Sequence, residues 1–145
     1  MNYDALKLKN QLCFPLYAVS KEVTRLYKPF LDPLNLTYTQ YITMMVLWET
    51  DNINVKALGE KLYLDSGTLT PLLKKLEGQS LITRTRNKEN ERNVIITLTE
   101  SGWALRDQAI KVPEQIISCL KVTSEDAEAL YRILNRILVS GLANE

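Results

Sequence analysis

The chain has 145 residues, 46% of them apolar and 24% charged, with a formal net charge of +1, as is typical of a single soluble globular domain. It contains no histidine, which excludes histidine-dependent acid–base catalysis, Ser-His and Cys-His dyads and most zinc sites, and its five glycines form no phosphate-binding loop. Because no apolar run approaches the roughly 20 residues that span a bilayer, we expect a cytoplasmic protein that is not an enzyme and uses no cofactor, metal or membrane.

The first predicted element is a helix from about Leu6 to Phe30. Its apolar residues recur at steps of four and three, as in a helix that packs against another helix: Leu12, Leu16, Val19, Val23, Leu26 and Phe30. A neighbouring stripe of the same helix contains Cys13, Tyr17, Ser20, Thr24 and Tyr27. Cys13 and Tyr27 are 14 residues apart, roughly 21 Å along a helix, so they cannot touch within one chain. An antiparallel second copy crossing near Ser20 would bring them together, which predicts a homodimer with the thiol beside a phenol of the partner.

Pro15 follows Cys13 by two positions. Proline suits the first turn of a helix but disrupts its interior. If the regular helix starts at Pro15, Cys13 lies just before a helix N-terminus, where the dipole favours a thiolate. In either case the cysteine lies at an irregularity of the helix.

Polar side chains mark the starts of the next two helices. Thr37 and Gln40 have the spacing of a capping box, and the helix that they open runs to about Glu49. Asn54 is expected to cap the following helix, which would bury its apolar residues against the next one.

The second of two helices between Lys56 and Leu98 is a candidate for DNA recognition. Asp65 is placed to cap it, and Leu69, Leu72, Leu73 and Leu76 recur at the spacing of a buried face. Small hydroxyls at the front and cations one turn later fall outside that face: Ser66, Thr68, Thr70, Lys74 and Lys75. This distribution suits a helix whose N-terminal end enters a DNA major groove, although an ordinary surface helix has the same pattern.

A predicted two-stranded β-hairpin follows this helix. Arg84 and Arg86 share one side of its first strand because side chains alternate, and Arg92 is expected at the tip. Residues 56–92 contain eight Lys or Arg and five Asp or Glu, so the positive excess of the chain is concentrated here. A cationic hairpin beside a helix-turn-helix is a wing that tracks phosphates or enters a minor groove.

The remaining sequence predicts further helices. Thr99 starts one that is interrupted at Pro113, Cys119 lies in the apolar run that follows, and Thr123 caps the last helix. The last helix carries another stripe at steps of three and four: Ala127, Leu130, Leu134, Ile137 and Gly141. We therefore predict a mainly α fold with a small β-wing, in which residues 1–35 and 99–145 form a dimerisation layer around a DNA-binding lobe at 36–98. A symmetric dimer implies a pseudo-palindromic double-stranded operator.

Three segments carry a resemblance to a known family: Gln11-Leu12-Cys13-Phe14, Leu36-Thr37-Tyr38 and the stretch from Leu64 to Glu77, Leu-Asp-Ser-Gly-Thr-Leu-Thr-Pro-Leu-Leu-Lys-Lys-Leu-Glu. The chain resembles MarR-family winged helix-turn-helix regulators, in particular the branch that senses organic hydroperoxides. The resemblance implies a repressor that releases its operator when an N-terminal cysteine is oxidised. It matches Cys13 to the sensing cysteine, and Tyr17 and Tyr27 to tyrosines that hydrogen-bond that sulfur across the dimer.

Two features depart from the family pattern. The wing has Asn90-Glu91-Arg92 where the family usually has Asp-x-Arg, and Pro15 stands where an aliphatic residue is common. The resemblance also implies two fates for oxidised Cys13, which are a disulfide with Cys119 of the partner subunit or capping by a small-molecule thiol.

Other interpretations stay open at the level of sequence. Cys13 and Cys119 suit buried structural thiols, and the tyrosines suit dimer packing. The chain also fits a MarR-type regulator released by a phenolic ligand, a thiol-based global or virulence regulator, or, less well, a thiol peroxidase.

Overall fold

The computed structural model describes residues 1–86, 88–90 and 93–141. Their helices are α1 (Cys13–Leu26), α2 (Lys28–Leu31), α3 (Tyr38–Glu49), α4 (Val55–Leu62), α5 (Ser66–Gly78), α6 (Glu100–Ala109), α7 (Val112–Cys119) and α8 (Ser124–Ser140). Their strands are β1 (Ile53–Asn54), β2 (Ile82–Arg86) and β3 (Val94–Leu98). The chain is mainly helical with one small antiparallel sheet, as predicted.

The N-terminal helix is shorter than the sequence pattern indicates. Residues Asp4–Leu6 and Leu8–Asn10 form separate 3-10 turns, and α1 begins only at Cys13. The prediction of one helix from Leu6 to Phe30 was therefore wrong at both ends, since α1 ends at Leu26 and Phe30 lies in α2. Pro15 lies in the first turn of α1, where its missing N–H removes no intrahelical hydrogen bond. The Gln11 side chain donates to the carbonyl of Ala5 at 2.6 Å, which holds the preceding segment in its tight turns.

The predicted helix starts are confirmed by side-chain capping bonds. Thr37 and Gln40 form the full capping box, with the Thr37 N–H donating to Gln40 Oε1 at 2.9 Å. Four more helices have one capping side chain each that accepts a backbone N–H: Asn54 from Ala57, Asp65 from Thr68, Thr99 from Gly102 and Thr123 from Asp126. Each cap satisfies a donor that has no partner inside its own helix.

The sheet has three strands in the order β1-β3-β2, whereas the sequence predicted a two-stranded hairpin. The added strand, β1, pairs antiparallel with β3 through Ile53 opposite Ile96. β2 pairs with β3 over its full length, with Ile82 opposite Leu98 and Arg84 opposite Ile96. We call β2, β3 and the residues between them the wing. Its base is fixed by β1 as well as by the helices.

The core lies between α3, α4, α5 and the sheet, and extends to α2, α6 and α7. Its fully buried side chains include Leu31, Met44, Leu47, Leu58, Leu69, Leu73, Leu76, Ile82 and Ile96. Leu105, Val112 and Ile116 are buried in the same cluster, so the core is not confined to residues 36–98. In contrast, α1 and α8 bury no residue of their own. Among the described residues, no helix is long and apolar enough to cross a membrane.

Candidate DNA-binding surface and thiol site

The recognition helix α5 is fixed to the core by one face. Leu69, Leu73 and Leu76 are each at most 1% exposed. The five side chains that were predicted to contact DNA are all exposed on the rest of the helix: Ser66, Thr68, Thr70, Lys74 and Lys75. The helix therefore presents hydroxyls at its N-terminal end and two cations in its third turn to solvent.

The cap at the start of α5 is ionised at neutral pH. The backbone N–H of Thr68, followed by the Thr68 hydroxyl, donates to Asp65 and lowers the pKa of its carboxyl below the ordinary value. A carboxylate at a helix N-terminus is also favoured by the helix dipole. Asp65 thus holds the first turn of the recognition helix, where Ser66 and Thr68 are displayed.

The turn between α4 and α5 depends on a close backbone approach at Gly59. A Cβ at this position would lie 2.8 Å from the carbonyl oxygen of Leu64 and 3.5 Å from a methyl carbon of Leu69. Tyr63 ends α4 in a left-handed conformation with a φ of 55°. The tight turn sets α5 directly against α4, so the two helices form one rigid helix-turn-helix.

The wing does not present its two described arginines equally. Arg86 is exposed, but Arg84 is half-buried and forms an ion pair with Glu77 in the last turn of α5, with 2.9 Å between Nη2 and Oε1. The Arg84 side-chain hydrogen bond is the main cause of a lowered pKa of Glu77. Sequence reasoning did not identify Glu77, and Arg92 lies outside the described residues.

Both cysteines are exposed in the single chain. Cys13 is the first residue of α1, beside the exposed side chains of Leu12, Phe14 and Leu16. Cys119 is the last residue of α7, beyond the final buried position of that helix, Ile116. The interpretation of either thiol as part of the core of its own chain was therefore wrong.

Tyr27 belongs to an aromatic cluster with Tyr38 and Tyr41. Its ring centroid lies 4.8 Å from that of Tyr38 and 5.8 Å from that of Tyr41. Burial raises the pKa of all three phenols, and for Tyr27 the nearby Tyr38 and Tyr41 raise it further. The phenols therefore stay protonated and able to donate a hydrogen bond to an anion.

The structure separates Tyr17 from this cluster. Tyr17 is 60% exposed, and the ammonium of Lys21 lies 5.3 Å from the centroid of its ring. Tyr38, named above only within the segment Leu36-Thr37-Tyr38, is the phenol whose ring lies nearest that of Tyr27 in this cluster. The two residues lie on different helices, so the helical spacing of neither segment indicates their contact.

A groove of about 510 Å³ runs between α1, α2 and the start of α3. Its lining includes Ser20, Thr24, Leu31, Leu36 and Tyr38, with the cations Lys21, Arg25 and Lys28 at the same groove. Asp32 also lines the groove and pairs with Lys28, so the groove combines apolar walls with both signs of charge and an excess of cations.

A side-chain hydrogen bond links this region to the end of the recognition helix. Gln79 follows α5, and its Nε2 donates to the carbonyl of Asn35 at 2.7 Å. Asn35 has a φ of 55° and lies in the connection between α2 and α3. The same connection lies between Tyr27 and the other two tyrosines in sequence. The residue after α5 is therefore hydrogen-bonded to the backbone segment that links the members of the aromatic cluster.

Known proteins resemble this chain over almost its whole length. Residues 25–108 match the family model described as transcriptional regulator SarA/Rot. The organic hydroperoxide resistance transcriptional regulator of Bacillus subtilis is 52% identical over 136 residues, which cover 94% of this chain and 92% of that protein.

Two solved structures of AbfR, a protein of Staphylococcus epidermidis, are also similar. Reduced AbfR bound to DNA has a TM-score of 0.76 at 34% identity and covers 94% of this chain and 95% of that chain. Disulfide-formed AbfR has a TM-score of 0.65 at 36% identity and covers 93% and 95%.

Proposed function

Because the chain belongs to the MarR family of winged helix-turn-helix transcriptional regulators, in its organic hydroperoxide branch, we propose that it is a DNA-binding repressor controlled by oxidation of Cys13. Like its relatives, the protein is a transcriptional regulator and not an enzyme. In the reduced state it binds a pseudo-palindromic operator as a homodimer. Oxidation by an organic hydroperoxide releases the DNA.

The recognition helix supports the DNA-binding part of this proposal. Its buried leucines fix one face, and the opposite face offers the hydrogen-bonding groups and charges that base edges and phosphates require. Contacts from α5 are assigned to Ser66, Thr68, Thr70, Lys74 and Lys75, and from the wing to Arg86 and Arg92. The fold that AbfR uses when bound to DNA is similar over nearly the whole chain.

The exposed apolar side chains of the terminal helices support the homodimer. In α1, Leu16 is 49% exposed and Val19 52%, and in α8 Leu130 is 48% exposed. Exposed apolar side chains repeated along a helix face are typical of an interface. A two-fold dimer places two recognition helices on half-sites about one DNA turn apart.

The proposed chemical step occurs at the sulfur of Cys13. The thiolate attacks the distal oxygen of the hydroperoxide, an S–O bond forms, the O–O bond breaks, and the alkoxide takes a proton and leaves as an alcohol. Cys13 becomes a sulfenic acid and the hydroperoxide is reduced to the alcohol. The apolar neighbours Leu12, Phe14 and Leu16 favour an alkyl or lipid hydroperoxide over hydrogen peroxide.

Protonated phenols of the partner subunit are the proposed donors to the reduced sulfur. The rings of Tyr27 and Tyr38 lie together, and both phenols keep their protons at neutral pH, so each has an O–H group that is able to donate. Tyr17, which the family resemblance matches to a second donor, is 60% exposed in the single chain and stays a proposed donor to the sulfur of the partner subunit. Oxidation changes the size and hydrogen-bonding of the sulfur, so these contacts break and the dimer layer shifts.

The sulfenic acid then has two proposed fates. The thiol of Cys119 of the partner subunit attacks it, which forms a disulfide and releases water, or a small-molecule thiol does the same. The exposure of Cys119 at the end of α7 supports the first route, since a buried thiol could not reach another subunit.

The observation that carries the proposal is the exposed position of Cys13 at the first residue of α1, among apolar side chains of a helix that buries nothing in its own chain. The test is footprinting on the DNA upstream of the gene for this chain, with and without cumene hydroperoxide. We expect the wild-type protein to lose at least about tenfold in affinity on oxidation, which corresponds to about 1.4 kcal/mol. Cys13→Ser should bind like the reduced protein and show no response.

Cys119→Ser separates the two fates of the sulfenic acid. Without added thiol, this variant should gain one or two oxygen atoms on Cys13 by mass spectrometry, while the wild type forms a covalent dimer on a non-reducing gel. A peroxide response retained by Cys13→Ser contradicts the redox mechanism, whatever Cys119→Ser does.

The groove beside α1 favours a second candidate function, release of DNA by a small phenolic acid. Lys21 suits a carboxylate, while Lys28 and Arg25 are paired with Asp32 and Glu22. Leu31, Leu36 and Tyr38 suit an aromatic ring. Titration of Cys13→Ser on DNA with salicylate distinguishes the two. Release by salicylate in a variant that ignores peroxide supports the ligand-controlled regulator.

A further inference from the structure

We infer that the ion pair of Glu77 and Arg84 is a positioning device that fixes the wing against the recognition helix. Arg84 then serves DNA binding through Glu77, and not by contact with a phosphate. The inference rests on the proposed DNA-binding function and assigns within it a role for Glu77, as well as a different role for Arg84.

The ion pair joins two elements that have to meet the same DNA. Arg84 donates to one carboxylate oxygen of Glu77 from Nε at 3.3 Å and from Nη2 at 2.9 Å. The side chains of Arg84 and Glu77 are only 27% and 39% exposed. Three other ion pairs are more exposed and join residues three or four apart in sequence: Lys7 with Asp4, Arg25 with Glu22, and Lys28 with Asp32. The Glu77–Arg84 pair instead bridges α5 and β2, with less screening by solvent.

The position of Arg84 along β2 explains why it is not free for DNA. Ile82, Arg84 and Arg86 share one side of the strand, and along it the side chains pass from buried to half-buried to exposed. Arg84 lies opposite Ile96, which is fully buried, so its side chain leaves the strand on the side that faces the core. Arg86 lies roughly 6–7 Å farther toward the tip and is the exposed cation of this side.

Because Glu77 is negatively charged, the direction of the change in DNA affinity on its removal tests the inference. A carboxylate near a DNA-binding surface repels phosphates, so its removal tightens binding if it has no other role. If Glu77 holds the wing, its removal weakens binding, because the wing no longer contacts DNA at the angle that α5 requires. Charge repulsion alone therefore predicts that Glu77→Gln binds DNA more tightly, whereas a positioning role predicts that it binds more weakly.

The experiment uses the full chain, kept reduced, and a 40-bp duplex selected by the wild-type protein from a random library. We expect Glu77→Gln and Arg84→Gln each to weaken binding by about tenfold and to lower the salt dependence equally, because both lose the same wing contacts. The double variant should bind no more weakly than either single variant. Hydroxyl-radical footprints should lose protection in the flanks contacted by the wing and keep it under α5.

Three variants serve as controls. Glu60→Gln removes an exposed carboxylate of α4 and should bind as tightly as the wild type or more tightly. Arg86→Gln should lower the salt slope by about one, as for the loss of a single phosphate contact. Arg84→Lys keeps the charge but not the forked geometry of the guanidinium. This variant should bind DNA more weakly if Arg84 positions the wing, and nearly as tightly as the wild type if Arg84 contacts a phosphate. Urea unfolding of each variant checks that the fold is intact.

The inference is overturned if Glu77→Gln binds at least as tightly as the wild type, or if Arg84→Lys retains wild-type affinity in a folded protein. Failure of the wild type to select any duplex would overturn the proposed DNA-binding function, and this inference with it. The two failures are therefore distinct.

Discussion

Ser80 connects the recognition helix to the wing with a φ of 61°, a left-handed conformation that residues with a Cβ disfavour by roughly 1–2 kcal/mol. Its N–H donates to the carbonyl of Glu77 at 2.9 Å, and its own carbonyl accepts the hydroxyl of Thr99 at 2.6 Å. Both bonds use backbone atoms of Ser80. The Cβ of Ser80 therefore makes the left-handed conformation less favourable, and neither hydrogen bond depends on the Ser80 side chain.

We expect Ser80→Gly to raise the free energy of unfolding by about 0.5–1 kcal/mol, since relief of the left-handed strain exceeds the entropy that glycine loses on folding. Urea denaturation followed by circular dichroism measures the change. Ser101→Gly, at an exposed helical position of α6, should instead lower stability by about 0.5 kcal/mol. Equal losses in both variants would show that Ser80 is not strained.

Single residues also show which parts of the site the sequence can reveal. The caps Thr37, Asn54 and Asp65 were predicted because each bonds to a backbone N–H only three residues away. The pairing of Arg84 with Glu77 was missed because the two residues lie on different elements, a strand and a helix. The spacing of residues within each element does not indicate a contact between them. Local chemistry is visible in sequence, and side-chain pairs across elements are not.

At the scale of elements, Gly102 lets α6 pack directly on the base of the wing. A Cβ here would lie 2.2 Å from the carbonyl oxygen of Leu81 and 3.0 Å from a methyl carbon of Leu98. The carbonyl cannot turn away freely, because it accepts the N–H of Thr99 at 3.1 Å. The glycine therefore sets the distance between helix and sheet.

Gly102→Ala should lower the free energy of unfolding by about 2–3 kcal/mol, the upper range for overpacking, because backbone has to move. Differential scanning calorimetry gives the change in melting temperature. Gly78→Ala is the matched control, since a Cβ there meets no atom within 4 Å, and it should raise stability by up to about 1 kcal/mol. A melting temperature unchanged by Gly102→Ala contradicts the packing argument.

The order of the elements was predicted more reliably than their ends. Long periodic segments such as α5 and α8 appear where the pattern places them. The two residues of β1 are too few to show any period, and only the pairing with Ile96 makes them a strand. The apolar stripe of the N-terminal helix begins only at Leu12, and side-chain hydrogen bonds from Asn10 and Gln11 hold the residues before it in 3-10 turns.

At the scale of the whole molecule, the apolar stripe of α8 is exposed in the single chain, as are apolar side chains of α1. Ile137 is 41% exposed and Leu130 48%, and the helix buries no residue. Burial of apolar surface against a second copy is the proposed source of dimer stability.

We expect Leu130→Glu combined with Ile137→Glu to give a monomer in sedimentation velocity, because two charges would have to be buried. Its affinity for an operator should fall at least about 100-fold, since two linked half-site contacts become independent. Arg132→Glu changes the net charge by the same amount on another face of α8 and should stay dimeric. A double variant that remains dimeric would contradict the predicted dimerisation layer.

The hydrogen bond from Gln79 to Asn35 connects the end of α5 to the segment between Tyr27 and Tyr38. Tyr27 and Tyr38 lie at the two ends of the backbone segment that contains Asn35, and Gln79, directly after α5, donates to the Asn35 carbonyl near the Tyr38 end of that segment. We propose that displacement of either tyrosine moves the C-terminal end of α5 through this contact. A change in the tilt of α5 would then be enough to prevent the two recognition helices of a dimer from fitting one operator together.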